Sequence, residues 1–243
     1  MLRVVGGRTH YGEAVGIMTL ETVFPRIPGD VGNASTFRFP VKLRTVKGAS
    51  INRVVKHGDP ALLEPFIEAA KELEKEGVRA ITTSCGFLAL FQDELAKSVK
   101  IPVFASSLMQ VPLVYKMLGK GHKVGIITAD SGSLSEKHLR AAGIDSIPLA
   151  IAGMEDQEEF PKAFLRNETA IDPDKIRAEI VGVVKNLVSK NPDIGAFVLE
   201  CANMPPYSAA IQEATGLPVF DIVTFINYVY GAVVRKPFKE SFM

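Results

Sequence analysis

The chain is expected to be an α/β protein of two pseudo-symmetric lobes, each a roughly four-stranded parallel sheet flanked by helices, with an active-site cleft between them. Three observations lead there. Apolar runs alternate with helix-period segments along the chain, the pattern of a parallel sheet with helical layers. One strand–cysteine unit occurs twice, at residues 78–86 and 194–202, and the cysteines at its centre, Cys85 and Cys201, are the only two in the chain. In both copies a Pro-Val-Phe begins 17 residues after the cysteine, at Pro102 and at Pro218. Such internal similarity marks a duplicated architecture. Residues 1–118 with 221–243 are assigned to the first lobe and 119–220 to the second.

Taken in order, Val15 to Leu20 reads as a buried strand. It enters segment 21–33, where two Pro, two Gly, Asp30 and Asn33 break any regular element. Arg26 lies in that loop, and its guanidinium suits a substrate carboxylate; solvated loop arginines are the commoner kind. Phe39 to Val46 alternates apolar and polar residues as a second strand does. Asp59-Pro60 opens a helix through Gly77, regular only from about Pro65. After the Cys85 strand, Leu88, Phe91, Leu95 and Val99 define a helical face, and Pro102 to Phe104 is a short strand. Ser107 is the expected cap of a helix over 108–118, with Pro112 near its start.

The second half repeats this order. Lys123 to Thr128 is a strand, followed by a helix that ends at Gly143 and a short strand over 147–151. Segment 153–171 reads as an acidic insertion or lid with a solvated face. Asp172-Pro173 caps and starts a helix to about Lys190, as Asp59-Pro60 does earlier. Then come the Cys201 strand, a helix over about 205–215, the second Pro-Val-Phe, and a last helix after Asp221 to Val234.

The composition excludes several classes of function. The net charge is +1, from 28 basic and 27 acidic residues, so nothing draws the chain to nucleic acid or an anionic membrane. No apolar run reaches the ~18 residues of a membrane helix, and the start of the chain shows no leader pattern. Two cysteines so far apart make no disulfide framework, so a reduced, cytoplasmic setting is expected. No CxxC appears, and His10, His57, His122 and His138 show no ligand spacing, so no metal is expected. A homodimer is the default assembly.

Ligands of open parallel sheets bind beyond the carboxyl ends of the strands. Both cysteines are expected there, each at a strand-to-helix turn whose free N–H groups attract anions and lower a thiol pKa. One thiolate could take a proton from a carbon while the opposed thiol returns one to the other face, inverting the centre by two-group acid–base catalysis. A single buried cysteine is more often a small hydrophobe; duplication of the environment favours the catalytic reading.

These strand–Cys–helix units resemble the aspartate/glutamate racemase superfamily, which includes hydantoin racemase, maleate isomerase and arylmalonate decarboxylase. The resemblance implies a two-lobe α/β fold, cofactor-independent chemistry and catalytic roles for Cys85 and Cys201. It also implies small-carboxylate contacts from the turns around them, namely Ser84, Gly86, Phe87, Ala202 and Asn203, and a hydroxyl pair, Thr128 and Ser131. Ser131 also suits a helix N-cap, and so does Asp221. Cys85-Gly86-Phe87 stands where racemases commonly show Cys-Asn-Thr, and Cys201-Ala202-Asn203 where they show Cys-Thr-His. Asn203 can hydrogen-bond but cannot carry a proton at neutral pH, which points away from aspartate or glutamate as substrate. The expected activity is racemisation or epimerisation of an amino acid or related small carboxylate. Decarboxylation or cis–trans isomerisation of a small diacid, or carboxylate binding without catalysis, are the alternatives.

Overall fold

Among the described residues, eight parallel strands form two sheets with one topology used twice. In a computed structural model, which describes residues 5–237, strands β1 (Val15–Thr19), β2 (Val41–Thr45), β3 (Ala80–Thr83) and β4 (Val103–Phe104) take the order β2-β1-β3-β4. Strands β5 (Lys123–Thr128), β6 (Leu149–Gly153), β7 (Ile194–Leu199) and β8 (Val219–Phe220) take the order β6-β5-β7-β8. Residues 1–4 and 238–243, at the outer limits of the expected first lobe, lie outside the described residues.

The pairing register explains the repeated 17-residue interval. Thr82 pairs with Phe104 and Val198 with Phe220. Each Pro-Val-Phe is therefore the neighbour of its own cysteine strand, and each cysteine lies three residues beyond the paired position. The central strands β1, β3, β5 and β7 are buried on both faces, which is why they read as unbroken apolar runs.

Local chemistry starts and stops the helices. The Asp59 carboxylate accepts from the Ala61 N–H and opens a 3-10 turn that leads into α1 (Leu63–Glu76). That helix ends at Gly77, whose φ of 98° only glycine adopts freely. Asp172 caps α6 (Pro173–Lys190) through the N–H groups of Asp174 and Lys175. After α7 (Ser208–Thr215), Asp221 caps α8 (Ile222–Val233) by accepting from the Thr224 N–H. Ile176, Ile180, Val184 and Leu187 form the buried stripe of α6.

Several details depart from expectation. The segment after Cys85 is a 3-10 helix over Gly86–Phe91 that gives way to α2 (Gln92–Ser98). The four apolar side chains of its expected inward face are all buried nonetheless. Ser106, not Ser107, caps the 3-10 turn before α3 (Val111–Met117); the Ser107 hydroxyl instead donates to the Leu199 carbonyl at 2.5 Å. Ser135 rather than Ser131 opens α4 (Glu136–Ala141), in a capping box with His138. A π-type turn over Asn52–Lys56 has no counterpart in the sequence pattern.

The helices after β4 and β8 each cross to the opposite sheet. Val111 and Val114 of α3 pack with Val124, Ile126, Ala196 and Val198 of the second sheet. Ile222 and Ile226 of α8 pack with Val15, Ile17 and Ala80 of the first. By packing, then, α3 sits with the second lobe although the expected boundary follows residue 118. This exchange and one continuous cluster, which holds Met18, Ile81 and Cys85 together with Ile127, Leu199 and Cys201, lock the carboxyl ends of β3 and β7 face to face.

Candidate active site

Residues beyond the carboxyl ends of β1, β3 and β7 line one pocket. Backbone pairing sets where each cysteine emerges. The Ser84 N–H donates to the Met18 carbonyl at 2.9 Å, and its hydroxyl accepts from the Leu20 N–H at 3.3 Å. The Thr83 hydroxyl donates to the Ala105 carbonyl at 2.7 Å and accepts from the Cys85 N–H at 3.3 Å. Cys85 then turns off the strand in extended geometry as the N-cap of the 3-10 helix. On the other lobe the Glu200 N–H donates to the Ile127 carbonyl at 2.8 Å, and Cys201 follows in a bend.

The pocket gathers Cys85 and Cys201 with Ser84, Gly86, Phe87, Ala202, Asn203 and Arg26. Thr128 and Ser131, the expected hydroxyl pair, do not line it. Thr128 is fully buried and donates to Glu200 Oε2 at 2.8 Å. Ser131 is exposed, and its hydroxyl and N–H both meet Glu155. Arg26 is no solvated loop residue. Its Nη1 donates to Asp30 Oδ1 at 2.7 Å and its Nη2 to the Thr22 hydroxyl at 3.0 Å, with the guanidinium 4.7 Å from the Phe24 ring centre.

Loop 21–33 and segment 153–171, to the second of which the sequence pattern assigns no chemistry, meet over the pocket. Segment 153–171 contains α5 (Glu159–Phe164), whose Phe160 and Phe164 are buried. Phe164 packs edge-on to Phe24 of loop 21–33 at 5.1 Å, and the Val23 N–H donates to Asn167 Oδ1 at 2.8 Å. Beneath this cover the cavity measures about 30 Å³, room for about two waters.

Electrostatics correct a second expectation. Both thiols titrate far above their ordinary range, because burial disfavours the thiolate and the Glu200 carboxylate adds repulsion. The N–H groups of Phe87 and Asn203 oppose this without winning. A short 3-10 helix and a bend supply too few aligned dipoles to outweigh desolvation. The cysteines also differ. The charge of Arg26 favours thiolate at Cys85. The Cys201 thiol donates to Asn203 Oδ1 at 3.6 Å, and Asn203 Nδ2 donates to Asp30 Oδ2 at 2.8 Å.

Glu200 and Asp30 are site residues that the sequence pattern does not single out. Glu200 carries a readable signal, a carboxylate closing an apolar run immediately before a cysteine, whereas Asp30 looks like any loop aspartate. Burial pushes the Glu200 carboxyl up to about 7 against the opposing hydrogen bonds of Thr128 and the Ala129 N–H. Among the described residues no cluster of three or more His, Cys, Asp or Glu could hold a metal, and no helix is long and apolar enough to cross a membrane.

Two parallel α/β lobes each present one thiol to a shared pocket. The chain belongs to the Asp/Glu/hydantoin racemase family, which its residues 68–226 match. It is 32% identical to a dimethylsulfoniopropionate lyase of Durusdinium sp. clade D, over 92% of this chain and 76% of that one. It is also 32% identical to dimethylsulfoniopropionate lyase 7 of Emiliania huxleyi, over 92% and 68%. Among solved structures, a glycine-to-cysteine variant of arylmalonate decarboxylase superposes with a TM-score of 0.64 over 93% of this chain and 96% of that one. At 16% identity that likeness is one of fold.

Proposed function

We propose that the chain is a lyase that removes the proton α to the carboxylate of a β-sulfonio carboxylate, of the dimethylsulfoniopropionate type, and expels the neutral sulfide. The observation that carries this reading is the meeting of Cys85 and Cys201 in one buried pocket beyond two matched strands. Racemases and such a lyase share their first step, loss of a proton from the carbon beside a carboxylate, and differ in what the carbanion does next. With a sulfonium on the β-carbon, the electron pair left by the proton forms the Cα=Cβ bond as the C–S pair departs with the sulfide. The likeness to named dimethylsulfoniopropionate lyases over nearly the whole chain supports elimination.

The pocket suits a cationic substrate. Phe24, Phe87 and Phe164 line it, and aromatic faces attract onium groups. Burial that holds both thiols neutral is offset when a sulfonium enters, since a cation brought close favours thiolate. The thiol proton then leaves to solvent. Cys85, beside Arg26, is the base that takes the α-proton. Cys201, hydrogen-bonded to Asn203 as a thiol, keeps its proton.

The same two thiols support inversion at an amino-acid α-carbon as a second reading, because a proton donor faces the base across the pocket. The deciding experiment incubates the enzyme in D2O with dimethylsulfoniopropionate and, separately, a panel of amino acids. Dimethyl sulfide release supports the lyase; Cα–deuterium exchange in an amino acid without elimination supports the racemase; neither product contradicts both.

A further inference from the structure

Glu200 is a buried group that the cysteine chemistry alone leaves without a task. It is 1% exposed, lines the pocket and sits between β7 and Cys201. Its two oxygens differ. Oε2 accepts the Thr128 hydroxyl at 2.8 Å, whereas Oε1 is buried without any hydrogen-bond partner. Oε1 lies against Gly86, the residue after Cys85, so closely that a Cβ there would overlap it. The unpartnered oxygen therefore lies between the turns that carry the two thiols. A buried carboxylate oxygen left without a donor is destabilising, and that cost calls for a compensating use.

Resting on the α-proton chemistry proposed above, we propose that Glu200 acts as a neutral carboxylic acid whose Oε1 hydroxyl donates to the substrate carboxylate oxygen on which charge builds as the α-proton leaves. The surrounding charges favour this form. Among the described residues no cation lies within ion-pair distance of Glu200. Arg26 is committed to Asp30, and Lys56 to Asp130. Burial and, to a lesser degree, Asp130 both raise the Glu200 pKa, to about 7 before anything binds. A bound carboxylate and a thiolate at Cys85 add two more negative charges and hold the acid protonated through the reaction.

In the step itself, the Cys85 thiolate takes the proton and the C–H electron pair moves toward the carboxylate, whose oxygen receives the Glu200 hydrogen bond. The pair then returns to form the double bond while the sulfide leaves. Glu200 keeps its proton throughout. A carboxyl group kept neutral by an apolar site and used as an oxyanion donor is a known solution to enolate stabilisation.

The test compares Glu200→Gln with Glu200→Ala over a pH series of kcat/KM for sulfide release. Glutamine offers an N–H donor in the same shape, so Glu200→Gln is expected to stay within about 10-fold of the parent while Glu200→Ala loses about 100-fold or more. Because turnover needs Cys85 as thiolate and Glu200 as acid, the kcat/KM of the parent should rise with pH and level into a flat limb past about 7, and Glu200→Gln should lack that limb. Thr128→Val, which removes a bond that favours the charged form, should move the limb to higher pH and checks the idea if the alanine variant does not fold. Infrared difference spectra with 4-methylpentanoate, an unreactive carbon analogue, should show a protonated carboxylic acid above neutral pH that Glu200→Gln lacks. Glu200→Gln as inactive as Glu200→Ala, or no acid band on binding, overturns the proposal. An acid band with no sulfide release leaves Glu200 neutral and instead counts against the lyase reading.

Discussion

Asn203 Nδ2 donates to Asp30 Oδ2 at 2.8 Å, joining residues 173 positions apart in the loops that follow β1 and β7. Because that bond fixes which way the amide faces, Asn203 Oδ1 can only accept, and it accepts from the Cys201 thiol. Asp30 in turn holds Arg26. One line of contacts thus runs from the guanidinium that favours thiolate at Cys85 to the acceptor that keeps Cys201 a thiol. Asn203→Ala would leave buried Asp30 Oδ2 without its donor and is expected to cost about 1–3 kcal/mol of stability. Thermal melts and turnover of Asn203→Ala, Asp30→Ala and the double variant form a cycle. Coupling of about 0.5 kcal/mol or more supports the link; additive losses argue against it.

Gly86 gives a prediction in the backbone. An added Cβ would run into both Glu200 Oε1 and the Glu200 carbonyl oxygen, so the turn or the end of β7 must move. Gly86→Ala should abolish turnover while both thiols remain countable, and should destabilise by about 1–3 kcal/mol through overpacking. Gly182, exposed within α6 with nothing within 4 Å of an added Cβ, is the control. Gly182→Ala is expected to stabilise by up to about 1 kcal/mol, since glycine weakens a helix interior. Equal effects at the two sites would rule out close approach as the reason for glycine at position 86.

Phe164 closes the pocket from the side of α5, so its displacement is expected to admit substrate. A cavity of about 30 Å³ does not admit a small carboxylate without displacement of its walls, and α5 is held over it by the Phe164–Phe24 ring contact and by the Glu179 carboxylate of α6, which accepts from the Glu158, Glu159 and Phe160 N–H groups. Phe164→Ala should cost about 3 kcal/mol in stability. It should also raise KM more than it lowers kcat and widen the tolerance for bulkier β-substituents. Unchanged selectivity in a folded variant would show that α5 does not gate the pocket.

The same residues separate what the chain discloses locally from what it does not. Asp59, Asp172 and Asp221 are legible as caps because capping is decided within three residues, and the matched Pro-Val-Phe units expose the strand pairing. The cysteine repeat locates both ends of the pocket. Ser106 cannot be told from Ser107 in the sequence, since Ser107 is diverted by the Leu199 carbonyl 92 positions away. The Asp30–Asn203 bond and the cover by Phe164 arise only when loops from both lobes converge. The thiol environment is hidden for the same reason: a turn predicts nearby N–H groups, but only the assembled pocket reveals how completely water is excluded.

The acid at Glu200 has a consequence for stability as well as chemistry. Its pKa is raised from 4.5 to about 7 by burial, so the folded state binds its proton more tightly than the unfolded chain does. The stability this confers is whole below about 4.5 and is lost as pH rises to about 7, where Glu200 ionises in the fold. Glu200→Gln carries no such loss. The stability of the variant relative to the parent, measured by urea unfolding, should therefore grow across that window by about 3 kcal/mol and stay level above it. A difference independent of pH would mean that Glu200 titrates normally.

In the proposed reaction everything depends on a pocket thiolate that removes the proton beside a carboxylate. The most direct measurement follows dimethyl sulfide and labelled acrylate from dimethylsulfoniopropionate carrying deuterium on one face of Cα, with the parent enzyme, Cys85→Ala and Cys201→Ala. The parent is expected to strip the label from one face only, and Cys85→Ala to abolish release, while Cys201→Ala impairs it less. Release undiminished in both cysteine variants, or equal loss of label from either face, would contradict that chemistry.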